Sequence, residues 1–96
     1  MAKPKLKLTK PLEYNGKKYE ELEYDFDALT GEDLLTAEAE VNAAGAIVPV
    51  MDLSKAYQAA VFARAAKVDY AMMRKLGAKD FTDATAAVMN FFGDQG

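Results

Sequence analysis

The chain has 96 residues, 51% of them hydrophobic, with 12 Lys or Arg against 15 Asp or Glu and a net charge of −3, which suits one domain with a modest core and is short for two. It contains no histidine and no cysteine, and Ser54 is its only serine, so disulfides, thiolate or imidazole metal sites, and Ser–His–Asp or Cys–His catalysis are excluded. No apolar run approaches the roughly 20 residues of a membrane span, and no apolar segment follows the start Met1-Ala2-Lys3-Pro4-Lys5, so the expectation is a soluble, unexported, cytosolic protein.

The first 26 residues predict a hairpin over about 5–26. Leu6, Leu8, Leu12 and Tyr14 alternate with Lys5, Lys7 and Glu13, as a strand with one buried face requires. Leu22, Tyr24 and Phe26 repeat the pattern on the return. Between them Asn15-Gly16 is the dipeptide that best accepts positive φ at both central positions of a type I′ turn. Pro11 has no N–H for a ladder and predicts an edge position or a bend that interrupts the first strand. Charge is divided by region: residues 1–18 carry six lysines against Glu13, or +5, and residues 19–96 carry −8. A lysine face of this kind can meet an acidic partner or phosphate, or it can guard a strand edge against aggregation.

Four helical stretches follow. Thr30 and Asp33 have capping-box spacing at the start of a helix over about 31–44, which Gly45 would end in a left-handed conformation. Ala46-Ile47-Val48-Pro49-Val50 reads as an extended connector, because Pro49 disfavours a helical Val48. Asp52 or Ser54 can cap a second helix over about 53–67, apolar on more than one side, which suits packing between elements or at a subunit contact. Asp69 would cap a short segment over 69–76. Asp80 and Asp83 have cap spacing for a last helix over 81–92, stopped by Gly93 and followed by a disordered tail, 93–96. The fold class is therefore α+β: an N-terminal β-hairpin or small antiparallel sheet followed by three to four helices, in a single domain spanning 1–96.

Sites of reaction are not indicated. Gly31 and Gly45 stand apart and no Gly-Lys-Ser/Thr occurs, so there is no phosphate loop. Asp25, Asp27, Glu32 and Asp33 cluster near Gly31, yet the glycine offset and the missing closing glutamate do not match a calcium loop. The expectation is no enzyme, catalytic residue, metal or cofactor. Lys3, Lys5, Lys7, Lys17 and Lys18 with Tyr14 and Tyr19 could follow a nucleic-acid backbone, but a sequence pI near 4.9 means the body repels the same polyanion, and nucleic acid is not the expected partner.

Leu6-Lys7-Leu8-Thr9-Lys10-Pro11-Leu12, Tyr14-Asn15-Gly16-Lys17-Lys18-Tyr19, Glu21-Leu22-Glu23-Tyr24 and Leu29-Thr30-Gly31-Glu32-Asp33-Leu34-Leu35 with Ala37-Glu38 together resemble the opening of the small tail assembly chaperones of long-tailed phages and prophages. Asp69-Tyr70, Leu76, Asp80-Phe81, Val88 and Phe91-Phe92 are similar to the family's closing segment. The likeness spans about Leu6 to Phe92 and consists of hydrophobic and turn pattern; the connector 43–50 departs from it. What the resemblance implies is a non-enzymatic protein of the host bacterial cytoplasm that coats the tape-measure protein, helps recruit tail-tube subunits, and is absent from the mature virion. Several members also have a longer form made by translational frameshifting, and the end at Phe92-Gly93-Asp94-Gln95-Gly96 is compatible with a short form. Covering a long helical client asks for apolar helix faces and leaves homo-oligomerisation open. The candidate contacts are Tyr57, Val61 and Phe62 on the second helix, Met72 and Met73 in the short segment, and Phe91 and Phe92 at the end; each can also be plain core. Two other roles fit the residues: a nucleic-acid-binding phage or prophage regulator using the hairpin, and a structural component that stays in the virion.

Overall fold

A computed structural model of the chain describes residues 4–43, 45 and 54–95. Two antiparallel strands, β1 (Lys5–Tyr14) and β2 (Lys17–Glu23), precede a 3₁₀ turn at Phe26–Ala28 and four helices: α1 (Gly31–Ala43), α2 (Lys55–Ala66), α3 (Tyr70–Met73) and α4 (Ala78–Gln95). This is the α+β arrangement of a small antiparallel sheet followed by helices. The connector Ala46–Val50, Asp52 and Leu53 lie outside the described residues.

The turn between the strands has φ of 53° at Asn15 and 78° at Gly16, the double positive φ that the dipeptide supplies. Pro11 does not interrupt β1. Instead the register slips: Lys7 pairs with Glu21 but Leu12 with Tyr19, so four residues of β1, 8–11, face Glu20 alone. A bulge of this kind absorbs the missing proline N–H and turns the backbone of Thr9 and Lys10 away from β2. It also changes the alternation. Leu6 pairs with Leu22 and Leu12 with Tyr19, and positions 22 and 19 point to opposite faces of β2.

The helices obey local rules at their starts. Thr30 and Asp33 exchange hydrogen bonds, with the Thr30 N–H donating to Asp33 Oδ2 at 2.9 Å and the Asp33 N–H to Thr30 Oγ1 at 3.3 Å, a reciprocal capping box. After α1, Gly45 has φ +86°. Ser54 caps α2 by accepting the Tyr57 N–H at 3.3 Å. At the other end of α2, Lys67 takes the left-handed conformation, φ 58°, and its N–H reaches the Ala63 and Arg64 carbonyls.

Four boundaries differ from the sequence pattern, the first being the hairpin's end: β2 stops at Glu23, and Phe26, expected on the return strand, lies in the 3₁₀ turn capped by Asp25. The segment after Asp69 forms only a short helix, Tyr70–Met73, and Asp69 makes no side-chain cap bond. Helix α4 begins at Ala78, three residues before the expected start, with the Gly77 carbonyl accepting the Phe81 N–H at 2.9 Å; Asp80 is thus inside the first turn and not its cap. At the C-terminal end α4 runs through Gly93 to Gln95 where a stop and a disordered tail were expected. Stacking explains it: Phe91 lies on Phe26 at 5.0 Å and Phe92 on Tyr57 at 6.1 Å between ring centroids. Both rings hold the final turn in place against the roughly 1 kcal/mol that a helical glycine costs.

Helix α2 is the centre of the core. Tyr57, Ala59, Ala60, Val61, Phe62, Ala63 and Ala65 are all buried, with α1 and α4 packed against it and α3 behind. Its alanines let the neighbouring helices approach on several sides. The aromatic rings gather at one end, Tyr24 at 4.9 Å from Phe62 and 5.0 Å from Phe26.

Candidate functional site

The hairpin is joined to the helices at its bulge by a buried carboxylate. Asp80 is fully inaccessible and accepts the Thr9 N–H at 2.9 and 3.0 Å, the Thr9 hydroxyl at 3.0 Å and the Lys10 N–H at 3.2 Å. Burial pushes the Asp80 pKa up, but the hydrogen bonds from Thr9 and Lys10, together with the charge of Lys79, outweigh it and hold the carboxyl below its ordinary 3.8. Gly77 also borders the site: a Cβ there would come within 3.3 Å of the Lys10 side chain, which would have to shift by a few tenths of an ångström. Sequence reasoning assigned Asp80 a local capping role and missed this one. The signal that bears on it is the proline in β1, which forces the ladder open at the place where an acceptor is needed.

Beyond the bulge, β2 borders an open groove of about 850 Å³, whose other wall is Leu29, Asp33, the end of α2 from Arg64 to Ala66, and the following Lys67 and Val68. The floor is fixed by the Asp25 N–H, which donates to the Ala65 carbonyl at 3.1 Å. Across the wall Arg64 binds Asp33, with Nε and Nη2 at 2.9 and 2.7 Å from Oδ1. Asp33 therefore caps α1 through one oxygen and ties α1 to α2 through the other. Its pKa is lowered, first by the Thr30 N–H and then by the Arg64 guanidinium. Asp25 accepts the Asp27 N–H, so two of the four clustered acids are already engaged locally. Among the described residues no group of three or more acids is placed to hold a metal ion.

The groove and hairpin carry charge on the outside. Lys17, Lys18, Glu20 and Glu21 are exposed and Tyr19 is half-buried, with Lys17 Nζ 5.1 Å from the Tyr19 ring. Lys5 meets Glu21 at 3.2 Å across the hairpin and Lys18 meets Glu20 at 3.9 Å along β2. Pairs this exposed contribute little to stability.

Of the seven residues singled out as contacts, five are interior. Tyr57, Val61, Phe62, Met72 and Met73 are at most 5% exposed and belong to the core of this fold. A helix buried on several sides gives the same apolar spacing as one with a sticky face. Phe91 and Phe92 are half-buried and stack on the core through one face each. Among the described residues, the large apolar side chains most exposed to solvent are Leu35 on α1, 63% exposed, and Met89 on α4, 51% exposed. Periodicity placed neither among the candidates. Among the described residues no helix is long and apolar enough to cross a membrane.

A model of the family described as phage tail assembly chaperone proteins, E, or 41 or 14, matches residues 5–93. No curated protein matches the chain, and no solved structure does.

Proposed function

Because this chain belongs to the phage tail assembly chaperone family, we propose that it acts without catalysis on the tape-measure protein, covering it in the host cytoplasm and helping tail-tube subunits to assemble on it before leaving. The observation that carries this reading is the extent of the family match, residues 5–93, which takes in the hairpin, α1, α2, α3 and all but the last two residues of α4. Supporting it, the chain has no histidine, no cysteine and a single serine, residue types on which most nucleophilic and general-base chemistry depends. Among the described residues, apolar contact with a helical client is best offered by Leu35 and Met89, with the exposed parts of Phe91 and Phe92. Methionine and leucine suit an irregular apolar stripe.

Coexpression with the tape-measure protein of the same phage or prophage is expected to move that client into the soluble fraction and to co-purify with it. An unchanged insoluble fraction with no co-purification would sink the proposal. The double variant Leu35→Glu/Met89→Glu is expected to keep wild-type stability, since each is a surface change worth about 0.5 kcal/mol or less, yet to lose at least half of the soluble client in the same assay. Retained solubilisation would assign the contact to another surface.

A further inference from the structure

We propose that the outer edge of β2 pairs antiparallel with the same edge of a second copy of this chain, with Tyr19 on the two-fold axis. The proposal goes beyond the client-binding reading and does not rest on it.

Among the described residues β2 pairs only with β1, and its other side opens on the groove. The closing pair of the two-residue turn is Tyr14 with Lys17, followed by Glu13 with Lys18 and then Leu12 with Tyr19. In an antiparallel ladder the backbone polar groups of Lys17 and Tyr19 then face β1, and those of Lys18 and Glu20 face outward. A strand edge of that kind is a template for another strand.

The order of charges along the edge selects the partner. Residues 17–21 read Lys-Lys-Tyr-Glu-Glu, a sequence that is its own charge complement when reversed. With Tyr19 opposite Tyr19 of the second copy, Lys18 faces Glu20 and Lys17 faces Glu21 on each side of the axis, and the two rings meet where side chains are closest. Cross-strand pairs of opposite charge stabilise a sheet, and like charges directly opposite destabilise it. Moving the axis by one residue places Glu20 on Glu20 or Lys18 on Lys18. Parallel pairing in register sets every charge against its like. The edge therefore admits one symmetric register and repels the others, as a self-complementary two-fold interface requires. The existing Lys18–Glu20 contact, at 3.9 Å with both side chains mostly exposed, and the Lys5–Glu21 contact leave these groups free to turn to a neighbour.

Charge exchange tests the register. The wild type is expected to sediment as a concentration-dependent dimer. Lys17→Glu/Lys18→Glu and Glu20→Lys/Glu21→Lys are each expected to weaken self-association at least about tenfold, and an equimolar mixture of the two to restore a dimer containing one of each. A wild type that stays monomeric at the highest concentration reached would overturn the proposal, and would be the outcome if the edge takes a strand of some other protein. Self-association that survives in both variants, or variants that do not complement on mixing, would overturn it too. A second readout does not rely on charge. Because the chain has no cysteine, Tyr19→Cys is expected to give a covalent dimer on mild oxidation, its Cα atoms standing about 4.5 Å apart, within disulfide range. The control Glu23→Cys is expected to give no covalent dimer under the same oxidation, and equal cross-linking at both positions would refute the register.

Discussion

Replacing Asp80 with alanine is expected to destabilise the protein by about 3 kcal/mol, the loss of hydrogen bonds to a buried charge with their backbone donors left facing a cavity. That is a large part of the 5–15 kcal/mol that ordinarily separates folded from unfolded chains. The donors belong to β1 and the carboxylate to α4, so the loss falls on the joint between hairpin and helices. Urea unfolding monitored by far-UV circular dichroism measures it. A change under about 1 kcal/mol would mean that water replaces the carboxylate at the bulge. The pH dependence follows from the direction of the shift. The folded-state pKa of Asp80 lies below its ordinary 3.8, so its contribution is complete well above that value and is lost as pH falls through 3.8 towards the folded pKa. Asp33 is shifted the same way. Asp80→Asn is therefore expected to flatten the acid limb of the stability curve without abolishing it.

Phe62→Ala is expected to cost about 3–5 kcal/mol, the range for emptying a buried aromatic site. The ring is wholly inaccessible and lies 4.9 Å from Tyr24 and 6.2 Å from Phe26, so its removal opens the junction between α2, the end of β2 and the 3₁₀ turn. Phe62→Leu keeps most of the volume and is expected to cost about half as much. Calorimetry on both variants separates the two roles the sequence allows for this residue. A core ring lowers the melting temperature steeply, whereas a contact ring leaves it near wild type and weakens only the client.

Much of the fold is legible because it is written in local chemistry. Asn15-Gly16, the Thr30–Asp33 box, Ser54 and Gly45 each need only a few neighbours to state their conformation, and each takes it. Where the reading fails, the deciding partner is distant. Asp80 has cap spacing on its own helix, but its partners lie about seventy residues upstream, and no helix-start rule sees them. Gly93 has the position of a stop, yet Phe26 and Tyr57 hold the rings beside it. That five of the candidate contacts are buried was hidden for a related reason. On α2 the residues between the large side chains are alanines, and an alanine can be buried under a neighbouring helix or stand bare, so that the pattern does not say which sides of the helix are covered. Arg64 shows the reverse: it lies in an apolar stripe by spacing, and its guanidinium leaves that stripe to reach Asp33.

The bond between Thr9 and Asp80 joins residues 71 positions apart. At translation rates of roughly 5–20 residues per second, the acceptor is made about 4–14 s after its donors. The hairpin turn forms in about 1–10 μs, but a lone two-stranded hairpin is marginally stable at best, so on a ribosome the strands open and close repeatedly until the helices that cover them are made. During that interval Lys5, Lys7 and Lys10 of the first strand set like charges against neighbouring chains on the same message, so the order of synthesis, hairpin first and anchor last, gives their placement at the start of the chain a use before the fold is complete.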